Sequence, residues 1–276
     1  MPLFYHDGLA FNYFDRGEGI PFIFQHGLGA DLTQVLEVYE ELPGFRLIAF
    51  DCRGHGKTHP PGEVDKLNFA TFANDLRALM DHLEIDEAVI GGISMGAGVA
   101  LNFTLRFPER VRGLILSRPA WLDKPLPDNL KYFPFIASLI QQFGAQAGRE
   151  HFQASHVYSE MLATAPYVAR SMIAQFEHPR AEETVAKLEK LPGDAPNQNR
   201  AAWLTITVPT LVLISRMDPV HPYEFGEILA QAIPQAQLRE LMPKSINIEQ
   251  HNKEAAVYIA EFLQQHFKTV ERRSQC

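Results

Sequence analysis

A serine between two glycines, in the segment Gly-Ile-Ser-Met-Gly at residues 92–96, gives the most direct indication of chemistry in this chain. An apolar run typical of a β-strand precedes the segment, and a helical pattern follows it at once. In such a turn the serine hydroxyl is raised above the sheet, and the positive end of the following helix favours developing negative charge. The context predicts that Ser94 is a nucleophile, although five residues of this pattern also occur by chance.

A second glycine-rich turn follows an early apolar strand, with the sequence His-Gly-Leu-Gly at residues 26–29. Glycines there allow a backbone N–H to point at a substrate carbonyl oxygen. The N–H groups of Leu28 and Met95 would then form an oxyanion hole, in which one donor is typically worth about 10²–10³ in rate. The alternative interpretation is that His26 and its glycines only form a tight exit from the strand.

Asp218 is the candidate acid of a catalytic triad. It lies a few residues beyond the apolar run at residues 210–214, where the end of a parallel strand opens toward a site. Its role would be to hold an imidazole in one tautomer and to stabilise the imidazolium. The alternative is a solvated loop aspartate paired with Arg216.

The elements that must position these residues alternate between strand and helix patterns, which indicates a mostly parallel sheet covered by helices. Short apolar runs predict strands, and apolar residues at helical spacing predict amphipathic helices. The strands are expected at residues 9–14, 21–25, 46–50, 87–91, 114–116, 210–214 and 237–241, and the helices at residues 69–83, 96–107 and 252–267.

The pattern changes between about residues 119 and 205. Helical stretches follow one another there without clear strands, and prolines interrupt them. We therefore expect one elaborated domain in three segments: a first core part at residues 1–118, a helical insertion at 119–205 and a second core part at 206–276. A chain of 276 residues fits a single elaborated domain.

The order of these motifs resembles the α/β-hydrolase superfamily. In addition to the motifs of residues 26–29 and 92–96, the chain contains DCRGHG at residues 51–56, FPERV at 107–111 and VPTL at 208–211. Asp218 follows the last of these. Residues 26–31 and 51–56 are most similar to esterases and enol-lactonases. The resemblance implies an α/β-hydrolase fold: a mostly parallel central sheet flanked by helices, with a helical cap inserted between strands. It also implies a structural role for His55.

The general base is where the chain departs from that family, whose members usually carry a Gly-His pair in the loop after the last strand. Lys244 or Ser245 stands at that place, and His251 is the only histidine of the loop. Three interpretations remain open. In the first, on which the predicted site rests, the loop is rewound so that His251 reaches Ser94. In the second, His221 substitutes, three residues after Asp218. In the third, no base reaches Ser94 and the hydrolytic activity is lost or changed.

The start of the insertion offers candidates for a substrate pocket. Aromatic walls favour small apolar ligands, although aromatics at helical spacing usually pack a cap onto a body. Arg118, at the end of a predicted strand, is expected either to bind a substrate carboxylate or to pair with an acidic cap residue. The aromatic candidates are Trp121, Tyr132, Phe133, Phe135 and Phe143.

Composition narrows the classes of partner. Hydrophobic residues make up 46% and charged residues 21%, as in ordinary globular proteins. A net charge of −8 argues against nucleic acid and anionic membranes as partners. We see no signal peptide or membrane span, so a cytoplasmic protein is expected. Two cysteines, Cys52 and Cys276, predict neither a structural disulfide nor a zinc site, and we expect no metal or cofactor.

The resulting hypothesis is a metal-independent serine hydrolase that cleaves a small carboxylic ester or lactone. Ser94 attacks, His251 takes its proton, Asp218 orients the imidazole, and Leu28 and Met95 hold the oxyanion. The rivals are a ligand-binding protein that has lost the catalytic histidine and a non-hydrolytic enzyme of the same fold. A small molecule is the expected partner, and the oligomeric state is left open.

Overall fold

The computed structural model describes residues 1–39 and 41–267. Eight strands form one sheet within these residues, in the order β1-β2-β4-β3-β5-β6-β7-β8. The strands are β1 Leu3–His6, β2 Leu9–Gly17, β3 Ile20–Gln25, β4 Phe45–Phe50, β5 Ala88–Ile93, β6 Val111–Ser117, β7 Thr210–Ser215 and β8 Ala236–Leu241.

The sheet is parallel from β4 onward and antiparallel only at the edge that β1 and β2 form. Strands β5 and β7 are buried along their full length, because helices cover both faces of the sheet. The predicted α/β-hydrolase fold class, with its mostly parallel central sheet flanked by helices, is confirmed. The carboxyl ends of β5, β6 and β7 lie side by side, which brings the loops that follow them to one edge.

Helices connect the strands, and two of them flank the serine turn. They are α1 Thr33–Leu36, α2 Phe69–His82, α3 Met95–Arg106, α4 Tyr132–Gln153, α5 His156–Thr164, α6 Pro166–Glu177, α7 Lys187–Lys190, α8 Tyr223–Ala232 and α9 Ile248–His266. The Asn68 side chain caps α2 by accepting the N–H of Thr71 at 2.8 Å. α2 and α3 pack against each other beside β5.

The stretch between β6 and β7 contains α4 to α7 and no strand among its residues, all of which are described. We call residues 119–205 the cap segment. Its longest helix, α4, is kinked at Gly144, whose φ of 76° breaks the helical geometry. α4, α5 and α6 pack on one another, and their buried side chains continue the core of the sheet. The three-segment division of the chain itself stays a prediction.

The structure adds three elements to those expected from the sequence, namely β1, α1 and α8. Strand β1 forms a hairpin with β2 through Asp7 and Gly8, which both have positive φ. Helix α8 follows β7 directly. No helix among the described residues combines the length and the apolarity needed to cross a lipid bilayer. Cys52 is buried, and Cys276 lies outside the described residues.

Candidate active site

Ser94 occupies the sharp turn between β5 and α3. Its φ of 57° and ψ of −109° lie outside the regions that a serine normally adopts, so the surrounding structure must hold this strained conformation. The Ser94 N–H donates to the Ser117 carbonyl at 2.9 Å, and its own carbonyl accepts the N–H of Gly98 at 3.2 Å. The side chain is therefore fixed at the end of the sheet, as the motif predicts.

The glycines around Ser94 are required by close backbone contacts. A Cβ on Gly92 would collide with the backbone of Gly96, and a Cβ on Gly96 would collide with the carbonyl of Gln25. Strand β3, which ends at Gln25, therefore lies directly against the start of α3. The spacing of glycines in this motif follows from that approach.

His221 lies against Ser94. Its Nε2 is 2.9 Å from Ser94 Oγ, and its Nδ1 is 2.8 Å from Asp218 Oδ2. Because a carboxylate can only accept, Nδ1–H donates to Asp218, and Nε2 is left to accept the proton of the Ser94 hydroxyl. The three side chains thus form a continuous hydrogen-bonded chain that can carry a proton away from the serine.

Asp218 and His221 share one turn between β7 and α8. The N–H groups of Val220 and His221 both approach Asp218 Oδ1, at 3.1 and 3.3 Å, and the His221 N–H also donates to the Asp218 carbonyl at 3.2 Å. These bonds hold the carboxylate and the imidazole in fixed relation. Asp218 is not paired with Arg216, whose Nε instead contacts Glu240 at 3.0 Å.

The expectation that His251 reaches Ser94 is wrong. His251 lies in the first turn of α9, where its Nδ1–H donates to the Met242 carbonyl at 2.6 Å. The ring is buried and ties the loop after β8 to the helix. Burial, together with the nearby charge of Arg118, lowers the pKa of His251 to about 3. The residue is a neutral structural histidine, and the base position belongs to His221.

Lys244 stands in the loop where the family's histidine was expected. Its Nζ donates to the hydroxyl of Tyr167, on α6 of the cap segment, at 3.2 Å. Burial, with the charge of Arg118, lowers the pKa of Lys244 to about 7. The loop after β8 therefore contributes a contact to the cap segment and not a base to the site.

The predicted oxyanion donors flank Ser94. Leu28 lines the same cavity as Ser94, and Met95 is the first residue of α3. In the described chain, neither of their N–H groups donates to a protein acceptor. The Leu28 turn is held by Gln34, whose Oε1 accepts the N–H of Gly27 at 2.8 Å. Two N–H groups are thus free to receive an oxyanion.

The electrostatics favour an ionised acid and a neutral base. Burial alone would raise the pKa of Asp218, but the His221 and Arg118 contacts outweigh it and hold that pKa below its usual range. Burial lowers the pKa of His221, and the charge of Asp218 opposes that effect only in part. An unprotonated imidazole beside an ionised carboxylate is the state that can accept the serine proton.

The site opens into a narrow cavity of about 60 Å³ between the sheet and the cap segment. Of the five aromatic candidates only Phe133 lines it, whereas Trp121 stacks edge-on against Phe69. Tyr167 and Ser171 of α6 also line the cavity, and no motif in the sequence indicated either residue. The space accommodates only a few non-hydrogen atoms around Ser94.

A family model for the alpha/beta hydrolase fold matches residues 20–244, which include the serine turn, the cap segment and the turn of Asp218 and His221. The match covers well over half of the chain. The resemblance drawn from the motifs is confirmed at the level of the family.

The similar proteins include hydrolases of several kinds. The chain is 29% identical over 245 residues to a 2-hydroxymuconate semialdehyde hydrolase of Pseudomonas sp. (strain CF600), covering 84% of this chain and 82% of that protein. It is 25% identical to 3-oxoadipate enol-lactonase 2 of Acinetobacter baylyi, covering 91% and 94%. Among solved structures, a thermophilic esterase from Thermogutta terrifontis superposes with a TM-score of 0.73 at 26% identity, covering 96% and 97%.

Proposed function

The chain belongs to the α/β-hydrolase-fold family, and from that premise we propose that it is a serine hydrolase of small carboxylic esters or lactones. The reaction proceeds through an acyl-enzyme at Ser94. The observation that carries the proposal is the chain of contacts from Ser94 Oγ to His221 Nε2 at 2.9 Å and from His221 Nδ1 to Asp218 at 2.8 Å. The similarity of the chain to an esterase and to an enol-lactonase supports esters and lactones as the substrate class.

Acylation begins when Ser94 Oγ attacks the substrate carbonyl carbon while its proton passes to His221 Nε2. The carbonyl oxygen becomes an oxyanion, which accepts hydrogen bonds from the N–H groups of Leu28 and Met95. Asp218 stabilises the imidazolium that forms. When the tetrahedral intermediate collapses, the C–O bond to the leaving group breaks and His221 returns the proton to the departing alkoxide.

Deacylation repeats these steps with water as the nucleophile. His221 Nε2 takes a proton from the water, which attacks the acyl carbon, and the oxyanion again lies at Leu28 and Met95. Collapse breaks the bond to Ser94 Oγ, and His221 returns the proton to the serine. The products of an ester are an acid and an alcohol, whereas a lactone gives a single hydroxy acid.

The cap segment and the size of the cavity define the substrate in this proposal. Residues 119–205 form a lid over the core of residues 1–118 and 206–276, and α6 supplies Tyr167 and Ser171 to the cavity wall. A cavity of about 60 Å³ suits a short acyl group. The proposed partner is therefore a small molecule that a cytoplasmic enzyme would meet.

The direct test is covalent labelling of Ser94. We expect a fluorophosphonate probe to add one mass equivalent to the wild-type chain, and p-nitrophenyl acetate or butyrate to be hydrolysed. The control Ser94→Ala should fold, bind no probe and lose turnover. A folded wild-type protein that neither reacts with the probe nor hydrolyses any short ester would refute the proposal.

The rival interpretation, a binding protein without chemistry, was motivated by the missing Gly-His pair. The missing pair no longer argues for the rival, because His221 lies at the base position, in the turn between β7 and α8. Within residues 1–39 and 41–267, the contacts around Ser94 support catalysis in preference to the rival.

A further inference from the structure

Arg118 is a buried cation in the wall of the Ser94 cavity. It follows β6 directly, and the residue before it, Ser117, pairs with Ile93 next to Ser94. Its backbone has a φ of 45°, and its N–H donates to the Leu213 carbonyl at 2.7 Å. Only 6% of the residue is exposed. A left-handed backbone at an arginine is costly, so the structure holds this side chain in the site against a conformational preference.

The guanidinium of Arg118 is poorly satisfied by protein partners. Its one side-chain hydrogen bond in the described chain is a 3.4 Å contact from Nη1 to Asp218 Oδ2. That carboxylate oxygen already accepts the His221 Nδ1–H at 2.8 Å. A guanidinium has five N–H donors, and no nitrogen of Arg118 is among the buried unpaired atoms of the described chain, so its remaining donors are open to the cavity that it lines.

Another buried arginine shows the two-bond pairing with a carboxylate that this protein can form. Arg53 and Asp75, each 1% exposed, form two parallel bonds of 2.6 and 2.7 Å. The bidentate geometry is the one that an arginine and a carboxylate prefer. Arg118 and Asp218 lack it: their single contact is 0.7–0.8 Å longer. The flat donor face of Arg118 is therefore still available to a second carboxylate.

The charge around Arg118 also leaves room for an anion. Lys244 lies near it, and burial together with the charge of Arg118 lowers the pKa of Lys244. Two carboxylates favour the charged form of Lys244: Asp218, which also contacts His221 and Arg118, and Glu37. An incoming carboxylate would relieve the repulsion between the two cations.

We propose that Arg118 binds a carboxylate of the substrate, so that the preferred substrates are short monoesters or lactones whose acyl part carries a second carboxylate. The inference rests on the proposed function and names its substrate class. Arg118 and Ser94 line one cavity of about 60 Å³, so the carboxylate lies only a few carbon atoms from the scissile carbonyl. The candidates are therefore derivatives of the short four- and five-carbon dicarboxylic acids.

The test compares charged and neutral substrates of one shape. The mono-p-nitrophenyl esters of succinic and glutaric acid are paired with p-nitrophenyl 4-methylpentanoate and 5-methylhexanoate, in which an isopropyl group replaces the carboxylate. We expect the wild-type kcat/KM to favour the charged ester by about 10- to 150-fold, the range for a hydrogen bond to a charged group. In Arg118→Gln this ratio should fall to about one or below, and Arg118→Lys should restore part of it.

The ratio of kcat/KM for the charged ester to kcat/KM for the neutral ester distinguishes recognition of the carboxylate by Arg118 from a role of Arg118 in positioning Asp218. If Arg118 only orients Asp218, Arg118→Gln slows the charged and the neutral ester by the same factor, and the ratio does not change. That result, or a wild-type enzyme that prefers the neutral ester, overturns the inference and leaves the proposed function intact.

A binding measurement keeps the inference testable without catalysis. Titration calorimetry with glutarate, and with glutaramide as the neutral control, should show binding of glutarate alone to the wild type and at least tenfold weaker binding to Arg118→Gln. If no ester is hydrolysed but this pattern holds, the proposed function fails and the anion site stands. Equal binding of glutarate to both proteins, or none to either, overturns the anion site.

Discussion

Replacement of His221 and of His251, each by alanine, should have opposite consequences. His221→Ala removes the acceptor 2.9 Å from Ser94 Oγ and leaves the serine proton without a destination. Loss of the base of a catalytic triad costs between about 10⁴- and 10⁶-fold in kcat, or about 5–8 kcal/mol of barrier. His221 is partly exposed to the cavity, so its loss should affect the stability of the fold little.

His251→Ala is the matched control, because it removes the histidine that the family pattern pointed to. The substitution deletes a buried ring and the 2.6 Å hydrogen bond to the Met242 carbonyl. An unsatisfied buried carbonyl costs about 1–3 kcal/mol, so the melting temperature should fall by a few degrees while kcat stays close to that of the wild type.

Three measurements on purified variants decide the comparison: kcat for p-nitrophenyl acetate, the rate of fluorophosphonate labelling and the melting temperature by circular dichroism. His221→Ala should lose turnover and rapid labelling but keep its melting temperature. The assignment of the base is refuted if His251→Ala loses activity as severely as His221→Ala, or if His221→Ala keeps more than about a tenth of wild-type kcat.

Three further predictions concern Asp218, the pKa of His221 and the buried pair of Arg53 and Asp75. Asp218→Asn should lower kcat about 10⁴-fold, because an amide can hold His221 in the wrong tautomer, and a loss of less than tenfold would contradict the role of Asp218. The acid limb of the kcat/KM profile should have its midpoint below pH 6.5, because burial lowers the pKa of His221 and only the neutral ring accepts the Ser94 proton. Activity should rise with pH through that midpoint and level off by about pH 7. A midpoint above pH 6.5 would contradict the role of His221 as the base. Asp75→Asn should destabilise the fold by about 3 kcal/mol in urea unfolding, because the amide removes the negative charge and one of the two acceptors opposite the buried Arg53, whose remaining ion pair is the 2.9 Å contact to Asp7. A change under about 1 kcal/mol would show that the pair is dispensable.

The strands were predictable because burial on both faces demands continuous apolar runs, which few other structures produce. β3, β4 and β7 start within one residue of the predicted positions. The missed strand β1 did carry a signal: Asp7 and Gly8 are the residue pair that a two-residue hairpin turn prefers. Four residues before that turn were too few for periodicity to indicate a strand.

The base could not be settled from the sequence because the decisive quantity is a distance between segments far apart in the chain. His221 and His251 both follow Asp218, so the order of nucleophile, acid and histidine admits either. A local signal favoured His221: the spacing Asp-x-x-His lets the carboxylate accept backbone N–H groups of a turn and an imidazole N–H together. The pattern of the family placed the base in the loop after β8, whereas the structure places it in the turn between β7 and α8.

The shared turn of Asp218 and His221 also changes what this scaffold can tolerate. The acid and the base lie within four consecutive residues, so both can be exchanged or transplanted together as one short segment. The loop after β8 does not have to supply the base, so its sequence is constrained mainly by the structural contacts of Lys244 and His251. We expect laboratory evolution of new specificities to accept changes in that region that would inactivate relatives whose histidine resides there.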